Sequence, residues 1–442
     1  MSFFKDIQHT IFFRVVMLGT GFITSIIIAR TLKTNGLGIY TIVTLVPSIA
    51  ASIISLGFDT ANTYLVGKNK YTTTEVISNA LSISLILIIV GLVIALLLAT
   101  RFGLVPEDVK RMYIYIAMLI IPFDVLNRLM SGVVYGLNKI RRINTIRFTA
   151  NLCFVVLLVI FLNILNFGTA GAIIAGIIAM IINASLIFLE LPEKRNIHPK
   201  LNMQWLKDAF LYGIRERAGA ILDVLIARAD VFLIAYFIGL SQLGVYAVSY
   251  KIFMMLVQIP MAIFYVLFAK VSVSNYKDAN KTVPVVCRNT IFIVLTLTAI
   301  AFAAAKPFII IFYGNEYEGS VYPTMILLPG AVFLSIVYIM QAYFNGMGKP
   351  HYYIYLSSSM LFINICLNLI LIPSLGINGA AIATISAYFI GMFLSLLLYL
   401  NLSNNILKET LFITKNDVRR YFDIYKNFKI KLGISKPQIN IR

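Results

Sequence analysis

The chain has 442 residues, of which 60% are hydrophobic and 12% charged, and its mean hydropathy is +0.89. These values exclude an ordinary soluble globular domain and indicate an integral membrane protein. The net charge of +19 sits in short loops between apolar runs, where it reads as an orientation bias and not as a nucleic-acid surface.

Apolar runs of about 20 residues, long enough to cross the hydrocarbon core as helices, follow one another near residues 9–30, 37–66, 76–100, 112–137, 145–166 and 169–190. Six more lie near 213–239, 243–268, 283–311, 321–345, 352–373 and 377–401. The expectation is therefore an all-α polytopic membrane protein with twelve transmembrane helices. The first run holds Arg14 and is not followed by a small-residue cleavage site, so it reads as a retained helix. A transmembrane barrel would show alternating segments of about ten residues, and these runs are continuous.

With a cytoplasmic N-terminus, the inner loops carry Lys68 and Lys70; Lys139, Arg141, Arg142 and Arg147; Lys194, Arg195, Lys200 and Lys207; Lys270, Lys277 and Lys281; and Lys349. The outer loops hold Arg30, Lys33, Arg101, Lys110, Arg111 and Lys306. This imbalance predicts that both termini are cytoplasmic.

The cysteines Cys153, Cys287 and Cys366 have no paired spacing, and His9, His198 and His351 are isolated. Neither a disulfide framework, a metal site nor a nucleophilic triad is indicated. GMGKP at 346–350 lacks the earlier glycine of a phosphate loop and has Pro350 where Ser or Thr is needed. The sequence thus predicts neither an enzyme nor a cofactor.

LGIY at 37–40 returns as LGVY at 243–246, a shift of 206 residues. YGLNK, with Gly136 and Lys139, matches NGMGK, with Gly346 and Lys349, at a shift of 210, and GTAGAIIA at 168 matches GINGAAIA at 376, a shift of 208. Three matches in register predict a duplicated half. Six helices per half is an even number, so the repeat is parallel. The halves are residues 1–200 and 201–404, followed by a basic tail at 405–442.

The stretches IIARTLKTNGLGIYTIVTLV, SLGFDTANTYLVGK and ARADVFLIAYFIGLSQLGVYAVSYKI resemble the lipid-linked oligosaccharide flippases of the multidrug/oligosaccharidyl-lipid/polysaccharide exporter superfamily. The marks are Ala29, Arg30, Leu32, Gly36, Gly38 and Tyr40; Leu56 and Gly57; and Asp230, Gly239, Gly244 and Tyr246. The major facilitator plan is the rival, but its glycine- and arginine-rich signature is missing from VGKNKYTTTE. Flippases of lipid-linked peptidoglycan precursors typically have fourteen spans, two more than expected here.

Charged residues inside spans cost about 2.5–3.5 kcal/mol each at the bilayer centre, so they mark a functional cavity by default. The cations Arg14, Arg128, Arg215, Arg217, Arg228 and Lys251 are candidate substrate-binding residues, and Asp59, Asp124, Glu216, Asp223 and Asp230 are candidate ion-coupling residues. In the seventh span Glu216, Asp223 and Asp230 recur every seven residues and are expected on one face, with Arg217 and Arg228 on another. Asp124 and Arg128 stand four apart, the spacing of a mutual ion pair. Arg14, Arg217 and Arg228 are expected to carry most of a phosphate recognition, because guanidinium forks suit phosphate oxygens. Tyr246, Tyr250 and Tyr343 are expected to pack rather than to stack on sugars.

The resemblance implies an inner-membrane flippase. It would move undecaprenyl-diphosphate-linked oligosaccharide from the cytoplasmic to the outer leaflet by alternating access, for O-antigen, capsule or exopolysaccharide synthesis. Membrane lipids, a polysaccharide polymerase and glycosyltransferases are the implied partners. A cation-coupled drug or metabolite exporter of the same fold is the alternative. The tail segment VRRYFDIYKNF has the pattern of a basic interfacial helix, and residues 412–442 are expected to be dispensable.

Overall fold

The computed structural model describes residues 2–101, 103–192, 198, 200–403, 405–414 and 417, and excludes the side chains of residues 2–12, 14, 15, 215, 216, 218 and 220. Every regular element among the described residues is a helix. In lipid this follows from the backbone, whose polar groups must be satisfied within each segment.

The helices are α1 (Ser2–Ile54), α2 (Phe58–Gly67), α3 (Thr73–Thr100), α4 (Arg111–Met118), α5 (Ile120–Gly136), α6 (Ile140–Leu158), α7 (Gly168–Glu190) and α8 (Met203–Ile226). They continue with α9 (Ala229–Ile238), α10 (Leu240–Ser272), α11 (Tyr276–Phe312), α12 (Val321–Leu327), α13 (Gly330–Gly346), α14 (His351–Ser403) and α15 (Leu407–Leu411). A π-helical turn, Val159–Ile164, extends α6, and a 3₁₀ turn, Asn315–Ser320, precedes α12.

Eight helices among the described residues are long and apolar enough to cross a membrane, and Asn315–Leu327 with Gly330–Gly346, bent by 45°, makes a ninth. The twelve expected spans therefore do not appear as twelve separate helices. The first and most of the second run together in α1, interrupted at Lys33 (φ 60°, ψ −176°), with the rest of the second in α2, and the last two run together in α14, interrupted at Gly376 (φ 60°, ψ −139°). The seventh expected span is instead divided into α8 and α9 at Ala227 and Arg228.

Local chemistry sets several of these ends. Thr72 and Glu75 close a reciprocal capping box at the start of α3, and the Asn202 side chain accepts from Gln204 N and Trp205 N at the start of α8. Arg30 donates to the carbonyls of Phe312 at 2.7 Å and Ile311 at 2.5 Å, so this motif arginine satisfies the end of α11.

The chain packs as two compact units. One comprises Met1–Ile252, Ala304–Leu327 and Ser357–Ser386; its core gathers Ile28, Ala29, Leu158, Ala172, Val248 and Tyr317. The other comprises Phe253–Ala303, Leu328–Leu356 and Ala387–Arg442, with Leu267, Val283, Cys287, Met340, Phe344 and Tyr399 at its centre.

The duplication is written in the backbone. Lys33 and Gly239, 206 residues apart, both have positive φ; so do Asn138 and Gly348, 210 apart, and Gly168 and Gly376, 208 apart. The repeated LGxY glycines also face each other. A Cβ on Gly38 would lie 1.8 Å from Leu240 O, and one on Gly244 would lie 1.8 Å from Thr34 O. Only glycine permits this approach, and the contact is reciprocal because Thr34 and Leu240 are themselves repeat equivalents. These coincidences fit the duplication that the glycine matches predict.

Candidate functional site

One charged group forms where α2, α5 and α8 converge. Gly57 (φ 79°) turns the chain from α1 into α2, and a Cβ there would meet Gly213 O at 2.2 Å, so bare backbone brings α8 against this turn. Asp59 follows in the first turn of α2. Arg217 Nη2 donates to Ser52 Oγ at 2.9 Å and Ser52 O at 3.1 Å, while Nη1 reaches Asp59 Oδ2 only at 3.5 Å. Arg128 grips Asp124 with a two-pronged fork, Nε to Oδ1 at 3.0 Å and Nη2 to Oδ2 at 3.1 Å. Arg217 lies within electrostatic reach of this second pair. The four charges cancel, yet among the described residues Asp59 Oδ1 and Arg217 Nε are buried without a hydrogen-bond partner.

A second group lies at the α8–α9 break. Asp230 is 1% exposed; its Oδ2 accepts the Tyr246 hydroxyl at 2.6 Å and its Oδ1 accepts Val231 N at 2.8 Å. The Tyr246 hydroxyl also bonds Thr384. Thr384 Oγ1 accepts from Asn364 Nδ2 at 3.4 Å, and Asn364 Oδ1 accepts from Asn368 Nδ2 at 3.0 Å. A buried carboxylate thus ends a chain of neutral oxygen and amide groups. The Arg228 guanidinium rests 5.5 Å over the Tyr250 ring and lies within electrostatic reach of Asp230 and Lys251. Lys251 Nζ is 3.8 Å from the position a Cβ on Gly21 would take, which places it against α1. Among the described residues, neither Arg228 nor Lys251 makes a hydrogen bond or an ion pair with a carboxylate.

The structure therefore sorts the candidates. Arg128 with Asp124 is the local ion pair that their spacing predicts. Arg217 is tied to Ser52 and Asp59, a partner set that sequence spacing does not reveal. Arg228 and Lys251 come within electrostatic reach of each other, and among the described residues neither is hydrogen-bonded to a carboxylate. Asp223 accepts from Ser357 Oγ at 3.5 Å. The side chains of Arg14, Arg215 and Glu216 lie outside the described residues, as does the tail helix expected at 418–428. The expected single stripe of Glu216, Asp223 and Asp230 is corrected, because the break at Ala227 and Arg228 resets the helical register before Asp230. Tyr246 and Tyr343 are both 1% exposed.

Comparison with known proteins adds three findings. The family model for "Polysaccharide biosynthesis protein" matches residues 27–322. An uncharacterized membrane protein of Methanocaldococcus jannaschii is 29% identical over 194 residues, which are 42% of this chain and 38% of that relative's length. Two solved structures share the fold at 16% identity. One is an inward-facing multidrug resistance MATE family transporter of the MOP superfamily (TM-score 0.72, covering 87% of this chain and 94% of that one). The other is the lipid II flippase MurJ in an inward closed conformation (TM-score 0.74, covering 96% and 93%).

Proposed function

The chain belongs to the polysaccharide biosynthesis protein family, and we propose that it moves undecaprenyl-diphosphate-linked oligosaccharide from the cytoplasmic to the outer leaflet by alternating access of its two halves. It is a multi-pass membrane protein with a flippase-like fold. The observation that carries the finer reading is the pairing of Arg228 with Lys251. Two neighbouring cations inside spans repel each other and are costly to insert, at about 2.5–3.5 kcal/mol each near the bilayer centre. A diphosphate resolves both costs, whereas a cationic drug would add to the repulsion.

In this reading Arg228 offers a guanidinium fork and Lys251 a point charge to the phosphate oxygens. The sugars follow the head group while the lipid tail stays in the bilayer. No catalytic step is involved. Asp230, buried and hydrogen-bonded only to neutral groups, is the carboxylate we assign to coupling with a proton or sodium gradient. The setting is the bacterial inner membrane with both termini cytoplasmic; glycosyltransferases act before the transfer and a polymerase after it.

The test is export of a surface polysaccharide in cells whose own flippase is deleted, with membrane protein level measured alongside. Arg228→Ala and Lys251→Ala are expected to lower export at least tenfold at normal protein level, and Arg228→Lys to restore it only in part. Normal export by both alanine variants would sink the anionic-lipid reading and favour a drug or metabolite exporter.

A further inference from the structure

A second feature of the same unit is apolar. A crevice of about 360 Å³ opens between the α1–α2 turn, α3 and the first turns of α8, and its walls include Leu56, Leu87, Met203 and Phe210. That volume lies in the range of small-ligand sites. One charged residue, Lys207, stands at its rim. Its neighbour Asp208 is already engaged by Lys70 Nζ at 2.7 Å and by the Tyr71 hydroxyl at 2.7 Å. Among the described residues Lys207 has neither a hydrogen bond nor an ion pair, and it is exposed.

The walls are anchored. Asn79 Oδ1 accepts from Asn202 N at 2.5 Å, tying the start of α8 to α3. Trp205, fully buried, stacks on Phe58 with ring centroids 5.9 Å apart. The chemistry of the opening is therefore that of an amphiphile, with hydrocarbon walls and an unpaired cation at the edge. Met203, Phe210 and Arg217 recur every seven residues and share one face of α8. At 1.5 Å per residue, Phe210 lies about 10 Å along the helix from Arg217, so one lipid is long enough to touch both ends.

Building on the lipid-diphosphate reading, we infer that this crevice is a loading station for the polyprenyl tail of the substrate. The isoprene units next to the diphosphate lie along Leu87, Met203 and Phe210, and the diphosphate sits against Lys207. The commitment to the substrate's own lipid rests on continuity. Leu56 and Phe58 line the crevice, and Asp59, the next residue, faces Arg217 in the charged group that precedes Arg228 along the same span.

The experiment uses the full-length protein in nanodiscs and a polyprenyl diphosphate carrying a diazirine on the isoprene unit nearest the diphosphate. Light-induced adducts are expected on Met203, Phe210 or Leu87. They should fall about fivefold in Lys207→Glu, an exposed charge reversal, and in Met203→Trp, which fills the opening. Unlabelled polyprenyl diphosphate should compete, and phosphatidylglycerol at the same concentration should not. Adducts confined to other residues, adducts unchanged in both variants, or equal competition by phosphatidylglycerol would overturn the assignment. The head-group reading fails separately: normal export by Arg228→Ala and Lys251→Ala beside undiminished crevice labelling removes the diphosphate site and keeps the crevice.

Discussion

Arg288, in α11, and Arg228, at the break between α8 and α9, are arginines of a chain with few charges, and their surroundings are opposite. Arg288 donates from Nε and Nη2 to both carboxylate oxygens of Asp417 and from Nη1 to Glu409 O at 2.9 Å. Asp417, 2% exposed, also accepts from Thr414 N at 3.0 Å and Thr414 Oγ1 at 2.6 Å. Arg228 has an aromatic ring, a neighbouring lysine and no carboxylate bonded to it. A cation whose donors are all used inside the chain is a structural element. One whose donors remain unused is poised for something that arrives. Arg217 falls between the two, with Ser52 well bonded and Asp59 at 3.5 Å.

The largest effect should come from breaking the sealed pair. Arg288→Ala or Asp417→Ala strands a buried charge, at a cost of about 3–5 kcal/mol, and folded protein in the membrane should drop sharply in quantitative immunoblots. Deleting 412–442 removes Asp417 and should do the same, contrary to the dispensability expected of an interfacial tail, whereas a chain ending after 417 should keep its Arg288 clamp. The pair also has a pH signature. Hydrogen bonds from Arg288 hold the Asp417 carboxyl well below the usual carboxylate range. Its contribution is then fully present above the unfolded value of about 3.9 and is lost as pH falls below it. Acid unfolding of the wild type should lose that contribution, and Asp417→Asn should not show the same dependence.

A smaller effect is expected at the buried Asp230 carboxylate. Tyr246→Phe removes the hydroxyl bonded to Asp230 and leaves that buried carboxylate with one fewer donor, a loss of about 1–3 kcal/mol. Thermal unfolding in detergent measures it. Asp230→Asn should keep more of the fold, since an amide oxygen still accepts from Tyr246, while abolishing any dependence of export on the ion gradient.

The smallest effect belongs to the surface. Lys70→Ala opens a pair with Asp208 whose lysine is 51% exposed, and such pairs contribute about 0–1 kcal/mol. Thermal stability should shift by a degree or two at most, and export should be normal. A large loss there would contradict the link between saturation, burial and structural role.

What the sequence makes legible is local or periodic. Continuous apolar runs specify helices in lipid, and the Asp124–Arg128 pair follows from a four-residue spacing. The glycine matches foretell the duplication because a left-handed residue or a backbone contact demands a particular residue type at a fixed place, as at Gly38 and Gly244. The Asp230–Tyr246 bond spans a helix break and the Arg288–Asp417 bond spans 129 residues, so neither has a spacing signature. The break itself falls in LIARADVF, which contains no glycine or proline, and Lys33 adopts positive φ without a residue that favours it. Arg228 sits in that break, within electrostatic reach of Lys251 on a different helix, and composition alone ranks all the intramembrane cations together.

The central claim is that Arg228 and Lys251 hold the diphosphate of a lipid-linked oligosaccharide. Its most direct test is leaflet exchange of a fluorescent undecaprenyl-diphosphate-linked sugar in liposomes containing the purified full-length protein. The account predicts exchange by the wild type and at least tenfold slower exchange by the Arg228→Ala, Lys251→Ala double variant at equal reconstituted protein. Equal rates for the two proteins would contradict it.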